Sequence, residues 1–305
     1  MPLLVLSGPT AVGKTAFSLE VALRVGGEII SADSAQVYRG LDIGTAKPSP
    51  EARRAVPHHL IDVAEPWETF SVARFQALAD AAIRAVWARG HLPLLVGGTG
   101  LWIRALVAAY PFAPEAADAG GTRAWLEALA QRDGWEALRR RLAIVDPASH
   151  AAILPGDHRR LVRALEVWEH GRRLPREPRP SPYRVAFWVL TRPVAELRER
   201  VWARTEAMLA DGLVAEVVGL LRQGVPPRAQ SLSAIGYREV VAWYFGRLAD
   251  HELVPLIAKK TRQYAKRQLT WFRREPGARW LDLAAWPWEE AIAQVVADAR
   301  RLTEG

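Results

Sequence analysis

The sequence predicts an α/β protein: a P-loop NTPase-like parallel sheet with flanking helices, plus an inserted all-helical subdomain and a helical C-terminal part. Three observations predict it. A Gly-rich loop, GPTAVGKT (8–15), stands between an apolar run and a helical pattern; further short apolar runs alternate with helical patterns; and two proline-rich breaks, YPFAPEAADAGG (110–121) and LPREPRPSPY (174–183), bracket a stretch of helical periodicity.

The elements follow in order. LLVLS (3–7) is a short apolar run, followed after the Gly-rich turn by a helix with Phe17, Val21 and Val25 on one face, stopped by Gly26 and Gly27. EIISAD (28–33), LIDV (60–63) and LPLLV (92–96) read as further buried strands. Before the last of them, Ser71 is placed to cap a helix whose Phe75, Leu78, Ala82 and Val86 keep a 3.6-residue period up to Gly90. Between the two breaks, WLEALAQ (125–131), WEALRRRLAIV (135–145), a turn DPASH (146–150) and HRRLVRALEVWEHG (158–171) form the helical insert, with Leu161, Leu165 and Trp168 on one face. VAFWVLT (185–191) returns to strand character, and the remainder reads as helical. The expected division is therefore 1–113 for the first part of the core, 114–184 for the insert and 185–305 for the return to the sheet and a basic helical part.

Composition narrows the function. With 305 residues, 50% hydrophobic and 24% charged, the chain has enough apolar residues to bury a core, and it contains no cysteine. Structural disulfides, thiol catalysis and Cys-ligated metal sites are excluded. No apolar stretch reaches the roughly 18 residues of a membrane span, and the start lacks a basic leader, so a soluble cytoplasmic protein is expected. Charge is unevenly placed: residues 1–113 carry 10 basic and 9 acidic side chains, whereas 258–274 (AKKTRQYAKRQLTWFRR) carry seven basic ones, no acid, and Tyr264, Trp271 and Phe272. Such a run is either a nucleic-acid face or a solvated helix surface.

GPTAVGKT fits G-x-x-x-x-G-K-[ST] in the strand–loop–helix context that the motif requires. The loop of Gly8, Pro9, Thr10, Ala11, Val12 and Gly13, through the N–H groups of all but Pro9, would cradle two linked phosphates together with the helix N-terminus. Lys14 would supply a point charge and the Thr15 hydroxyl would hold Mg²⁺. By motif alone the loop also suits ATP. A P-loop ATPase normally places an acid at the end of a hydrophobic strand, yet LPLLV runs into Gly97, Gly98 and Thr99, and Asp62 follows a run of only two apolar residues. Asp33 ends EIIS at the carboxyl end of a strand, where open α/β sheets hold their ligands; it is either a general base or a turn cap.

Several spaced motifs carry a resemblance. GPTAVGKT, DSAQVYRGLDIGTAKP (33–48), PHHLID (57–62), LLVGGTG (94–100), RLVRALEVW (160–168), AIGYRE (234–239) and AKRQLTWFR (265–273) resemble the bacterial tRNA dimethylallyltransferases, also called tRNA isopentenyltransferases, in consistent order from residue 3 to about residue 282. The resemblance implies transfer of a dimethylallyl group from dimethylallyl pyrophosphate to N6 of adenine 37, beside the tRNA anticodon. Pyrophosphate would leave from the P-loop, held by Lys14, Arg204 and Mg²⁺, with Asp33 accepting the N6 proton and Thr99 positioning the reacting groups. It also implies tRNA contacts at Ser34, Ala35 and Gln36, at Arg123, Arg159, Arg160, Leu161, Val162 and Arg163, at Ser233, Ala234, Ile235, Gly236, Tyr237 and Arg238, and at Lys260 and Arg267. Arg204 follows Arg200 by four residues on a helix, so both can face one side; on sequence grounds alone both read as surface arginines, a reading that stays open for Arg200. A P-loop small-molecule kinase, an adenylate isopentenyltransferase and a non-catalytic RNA-binding P-loop protein are the competing readings. Nothing in the sequence calls for an obligate dimer, and a monomer is expected.

Overall fold

A computed structural model describes residues 1–110, 112, 121–171 and 180–304. It divides the chain into two compact units, Met1–Val107 with Ser181–Gly305, and Ala108–Pro180. Much of the two proline-rich stretches expected to mark boundaries lies outside the described residues.

In the first unit the chain forms β1 (Pro2–Ser7), α1 (Lys14–Val25), β2 (Gly27–Ser31), α2 (Pro50–Ala55), β3 (His58–His59), α3 (Val72–Ala88), β4 (Leu92–Gly97) and α4 (Gly100–Val107). The second unit holds α5 (Thr122–Asp133), α6 (Trp135–Val145), α7 (Pro147–Ala152) and α8 (His158–Glu169). The chain then returns to the first unit with β5 (Arg184–Thr191), α9 (Val194–Ala210), α10 (Leu213–Arg222), α11 (Tyr237–Tyr244), α12 (Leu253–Phe272), β6 (Arg279–Asp282) and α13 (Trp288–Glu304).

The six strands form one sheet in the order β3-β2-β4-β1-β5-β6, every pairing parallel. Because side chains alternate along a strand, β1 supplies both cores. Leu3 and Val5 pack with Ile30, Leu95, Phe75, Ile83 and Trp102 on one face, and Leu4 and Leu6 with Ile29, Leu94, Phe17, Val21 and Ile292 on the other. Such two-sided burial explains why the strands read as continuous apolar runs. Parallel pairing throughout sends the loops after the strands to one edge of the sheet, where α/β folds bind ligands.

Local signals mostly act as the sequence indicates. The Ser71 hydroxyl accepts the Arg74 N–H at 3.0 Å and starts α3, and α1 stops at Gly26. The buried face of α3 is, however, Phe75, Ala79, Ile83 and Val86, and Leu78 is turned outward.

Three expectations are corrected. The third strand is His58–His59, not 60–63. Leu60 and Asp62 adopt left-handed backbone conformations, with φ of 63° and 57°, which break an extended ladder. The Asp62 carboxylate is instead drawn onto Lys47 at 2.5 Å and Arg53 at 2.8 Å. DPASH is not a turn but the start of α7, because the Asp146 side chain accepts the Ser149 N–H at 3.1 Å and Pro147 sits in the first turn. The C-terminal part is not wholly helical: Arg279–Asp282 adds an edge strand beside β5, with only Leu281 buried, too short for its periodicity to be legible.

The second unit has its own core, in which Leu126, Leu138, Leu142, Leu161 and Leu165 meet.

Candidate active site

Four loops meet at the carboxyl edge of the sheet. The P-loop leaves β1, Asp33 follows β2, Thr99 follows β4, and Arg192 follows β5 into the helix that carries Arg200 and Arg204. β1 is central, with β4 on one side and β5 on the other, so the P-loop is flanked by the other loops.

Within the P-loop, Gly13 takes φ 108° immediately before α1 and Ala11 takes φ 63°, which turns successive amides to one side as an anion nest does. Lys14 Nζ donates to the carbonyls of Gly8 at 2.9 Å and Pro9 at 2.8 Å, so its ammonium lies inside the loop. Burial pushes its pKa down to about 8; the Asp33 carboxylate works against that shift and Arg204 reinforces it. Arg204 is likewise lowered by burial and supported by Asp33. Two cations and one carboxylate therefore share one desolvated region. A dianionic or trianionic ligand there would relieve the repulsion between the cations.

Asp33 and Thr99 belong to one hydrogen-bonded junction. The Ala32 N–H donates to the Val96 carbonyl at 2.8 Å and the Thr99 N–H to the Ala32 carbonyl at 3.2 Å, joining the ends of β2 and β4. Thr99 Oγ1 accepts the Ser34 N–H at 3.1 Å. Asp33 Oδ1 accepts the amides of Ala35 at 2.9 Å and Gln36 at 3.4 Å. It is thus a turn cap, one of the two roles open to it from sequence. Its other oxygen, Oδ2, has no hydrogen-bond partner among the described residues, so capping leaves an acceptor for a proton.

A cleft of about 560 Å³ opens over this junction, lined by Thr10, Asp33, Ser34, Arg204, Tyr264 and Lys260 among others. The Tyr264 phenol is pushed up to about 12 by burial and by the Asp33 charge, with Thr99, Arg267 and Gln268 pulling the other way. A neighbouring hollow of about 1100 Å³ shares Arg204 and Met208 with it. There Lys47 is engaged by Asp42 and Asp62, and Arg53 by Asp62. The smaller cleft, which Thr10 of the P-loop and Asp33 line together with Arg204, is the one suited to phosphate.

The other expected contacts divide. Ala35, Ser233, Ala234, Ile235, Arg238 and Arg267 line the same cleft. Gln36 turns inward instead: its Oε1 accepts the Ser31 hydroxyl at 3.1 Å and its Nε2 donates to the Thr45 carbonyl at 3.2 Å, holding the long loop after β2. Tyr237 is fully buried with its hydroxyl on Glu216 at 2.5 Å, and the Gly236 N–H donates to Glu239 at 2.8 Å. In the second unit Arg159 and Arg160 are exposed, whereas Leu161 and Val162 lie in that unit's core, so their side chains offer nothing to RNA. Arg123 and Arg163 both pair with Glu166. By contrast, none of the seven cations in 258–274 forms an ion pair among the described residues, so that run keeps its charge.

Sequence reasoning missed two participants. Gln268, 5% exposed on α12, accepts the Thr10 N–H at 2.9 Å and donates to the Gly98 carbonyl at 2.9 Å, tying the P-loop to the turn that carries Thr99. The available signal was a neutral polar residue four positions after Tyr264 within a cationic run. Arg192 donates from Nε to the Val12 carbonyl at 3.0 Å. Arg200, also readable as a surface residue, donates from Nε to the Ala11 carbonyl at 2.8 Å.

A P-loop on the central strand of an all-parallel, helix-flanked sheet defines a protein of the P-loop class. A family model described as IPP transferase matches residues 36–275, and one described as isopentenyl transferase matches residues 1–59. The tRNA dimethylallyltransferase of Thermomicrobium roseum is 46% identical, covering 98% of this chain and 92% of its own length; that of Symbiobacterium thermophilum is 51% identical over 93% and 90%. Among solved structures, the tRNA isopentenylpyrophosphate transferase of Bacillus halodurans matches with a TM-score of 0.73 at 39% identity, covering 100% of this chain and 99% of that one. A eukaryotic dimethylallyltransferase, solved acting on tRNA, matches with a TM-score of 0.78 at 26% identity over 96% and 77%. The chain belongs to the IPP transferase family, the tRNA dimethylallyltransferases, and is a prenyltransferase by that membership. These relatives do not favour the kinase or the non-catalytic RNA-binding alternative. No helix among the described residues is long and apolar enough to cross a membrane.

Proposed function

We infer that the protein transfers a dimethylallyl group from dimethylallyl pyrophosphate to N6 of adenine 37 in tRNA and releases pyrophosphate. The observation that carries this reading is the electrostatic coupling of Lys14 in the P-loop to Asp33 and Arg204, two residues that line one cleft with Lys260 and Arg267 of α12.

Adenine N6 is a weak nucleophile, so the reaction depends on departure of the leaving group. The N6–C1 bond forms as the C1–O bond to pyrophosphate breaks, the electron pair leaving with the oxygen. Lys14, Arg204 and the amides of the P-loop and the α1 N-terminus stabilise that charge. Asp33 Oδ2 takes the N6 proton, and Thr99 holds the Asp33–Ser34 segment in place. The adenine must leave its stack to reach Asp33, which is least costly from a single-stranded loop.

The donor set also suits Mg²⁺. Thr15 is exposed at the first turn of α1 with no hydrogen bond to its hydroxyl among the described residues, and no cluster of three or more His, Cys, Asp or Glu fit to hold a metal occurs among them. Thr15 with oxygens of the pyrophosphate would hold the ion, in keeping with Mg²⁺ that binds through substrate phosphates. Bound there, Mg²⁺ supplies neutralisation of the leaving charge.

Residues 114–184 form the tRNA-contacting insert in this reading, through Arg159 and Arg160, and the enzyme works as a cytoplasmic monomer. Labelled dimethylallyl pyrophosphate with Mg²⁺ and unmodified tRNA tests the proposal: label should attach covalently to RNA and vanish when adenine 37 is replaced. Folded protein that binds this tRNA but incorporates no label would refute it.

A further inference from the structure

The side chains that follow β5 grip the P-loop by its carbonyls. Arg200 Nε donates to the Ala11 carbonyl at 2.8 Å and Arg192 Nε to the Val12 carbonyl at 3.0 Å. Glu196, four residues from each, joins them: its Oε1 accepts from Arg192 Nη1 at 2.6 Å and lies 3.9 Å from Arg200 Nη1. Arg192, just before α9, thus forms a brace with Glu196 and Arg200 of its first turns, the three spaced at i, i+4 and i+8 in the chain.

A trans peptide points its N–H opposite to its C=O. With the Val12 carbonyl held by Arg192, the Gly13 N–H must face the side of the loop turned away from Arg192. The preceding peptide is fixed at both ends, because its carbonyl is held by Arg200 and the Val12 N–H donates to the Pro9 carbonyl at 3.4 Å. That same peptide follows Ala11, whose left-handed φ of 63° is unfavourable for a residue with a Cβ. An unfavourable conformation persists when its surroundings over-determine it, and the two guanidinium groups do so here.

We propose that Arg192 and Arg200 are positioning residues that hold the P-loop peptides in their phosphate-binding orientation, so that the loop need not reorganise when the pyrophosphate of the prenyl donor binds. The inference rests on the reading of this loop as the pyrophosphate site. The amides that meet the donor's pyrophosphate in the ground state also stabilise the leaving charge, so loss of the brace raises donor KM and weakens pyrophosphate binding, with a smaller fall in kcat for the extra charge that develops in the transition state.

The test uses the full chain, inorganic pyrophosphate as probe, and Arg200→Gln, Arg200→Lys and Arg192→Gln. Arg200 is the safer position because its side chain is 43% exposed, against 14% for Arg192, and thermal melts establish which variants fold. For Arg200→Gln the expected result is pyrophosphate affinity weaker by about tenfold, the loss of one charged hydrogen bond. Donor KM should rise by the same factor, kcat should fall by less than that factor and tRNA affinity should be unchanged. Arg200→Lys keeps a charged donor and should recover most of the loss. The brace is refuted if Arg200→Gln binds pyrophosphate as the wild type does, or if kcat falls while donor KM stays constant. A wild-type protein that neither binds pyrophosphate nor transfers the prenyl group would overturn the underlying reading instead, which separates the two failures.

Discussion

Gln268 donates from Nε2 to the Gly98 carbonyl at 2.9 Å, and Gly98 has no space for a side chain on that side: a Cβ would stand 2.2 Å from the same nitrogen. The amide's other end accepts the Thr10 N–H. One side chain on the basic helix therefore sets the distance between the phosphate loop and the turn carrying Thr99. Gln268→Leu leaves the Thr10 N–H and the Gly98 carbonyl unpaired in a poorly hydrated place, which costs about 1–3 kcal/mol for each group. A lowered melting temperature together with reduced turnover is expected. Gly98→Ala should displace Gln268 and produce the same kinetic defect. Turnover equal to wild type in both variants would show that the tie is dispensable.

Asp33→Asn separates the two roles of that residue. The Asn Oδ1 can accept the Ala35 and Gln36 amides as the carboxylate does, so the turn should survive. The amide cannot take a proton. Turnover should drop by roughly 10²–10⁴, with tRNA affinity within about twofold of wild type and an unchanged melting temperature. Parallel loss of turnover and tRNA binding would refute the assignment of a base.

The state of Lys14 predicts a pH dependence for pyrophosphate binding. Its ammonium is lowered to about 8 in the free protein, and an added anion must raise it again. Binding thus takes up a proton above pH 8. The Lys14 contribution to affinity for pyrophosphate should be constant below about pH 8 and fall as pH rises beyond it, approaching tenfold per pH unit until the pKa of the bound state is reached. The sign for stability is opposite. The unfolded chain, with Lys14 near 10.5, binds more protons between pH 8 and 10.5, so this group's contribution to the stability of the free protein rises over that window. Calorimetry in buffers of different ionisation heat measures the uptake directly; none at pH 8.5 would count against a lowered Lys14.

The cations of α12 and the two arginines that follow it predict steep salt dependence of tRNA binding. All seven lack carboxylate partners among the described residues, so phosphates meet no internal competitor. If about five of them neutralise phosphates of a single-stranded loop, log affinity should fall with a slope of roughly −3.5 against log salt. Lys260→Ala and Arg267→Ala should each flatten that slope by about 0.7. Filter binding between low and moderate salt reads both, and a slope near zero would rule out the electrostatic account.

A pH effect on the fold is expected at the opposite end of β2. Glu28, 2% exposed, accepts from Arg89 at 2.7 Å and contacts His59 and His91, both at 2.6 Å. Burial works against its charge, but Arg89 and the two histidines outweigh it and hold its pKa at about 2. The folded state therefore gains from this carboxylate above about pH 4.5 and loses that gain as pH falls toward 2. Glu28→Gln should lower stability at pH 7, since the amide cannot pair with Arg89 as the carboxylate does; Arg89 is 47% exposed, so water takes up part of its charge and limits the loss. Denaturant unfolding at pH 7 and pH 3 checks both statements: the difference between variant and wild type should shrink at the lower pH.

Much of the fold was legible because its signals are local. The strands are apolar runs because both faces of the sheet are covered, and Ser71 announces α3 through a hydrogen bond three residues away. Where the sequence misled, a distant partner overrode the local pattern. LIDV has strand composition, yet Asp62 is drawn to Lys47 and Arg53, and the backbone turns left-handed to deliver it. Leu161 and Val162 stand in a motif with arginines on either side, but helical geometry sends these two side chains to the core while Arg159 and Arg160 face out. Gln36 follows Ser34 and Ala35 in the chain but not in direction, because its amide satisfies the loop's own carbonyl groups.

By itself the sequence determined the phosphate loop, the alternation that makes a parallel sheet, the helical insert and a basic helix, and its spaced motifs identified the family. All of these are encoded over a few residues, where backbone preference and periodicity act. The tertiary structure alone decided that Gln268 joins Thr10 to Gly98 across separations of 258 and 170 residues, and that Arg200 holds the Ala11 carbonyl from 189 residues away. No local propensity specifies such pairs. They exist because parallel pairing brings the carboxyl ends of distant strands to one edge, where buried polar groups must find partners and those within reach belong to distant segments.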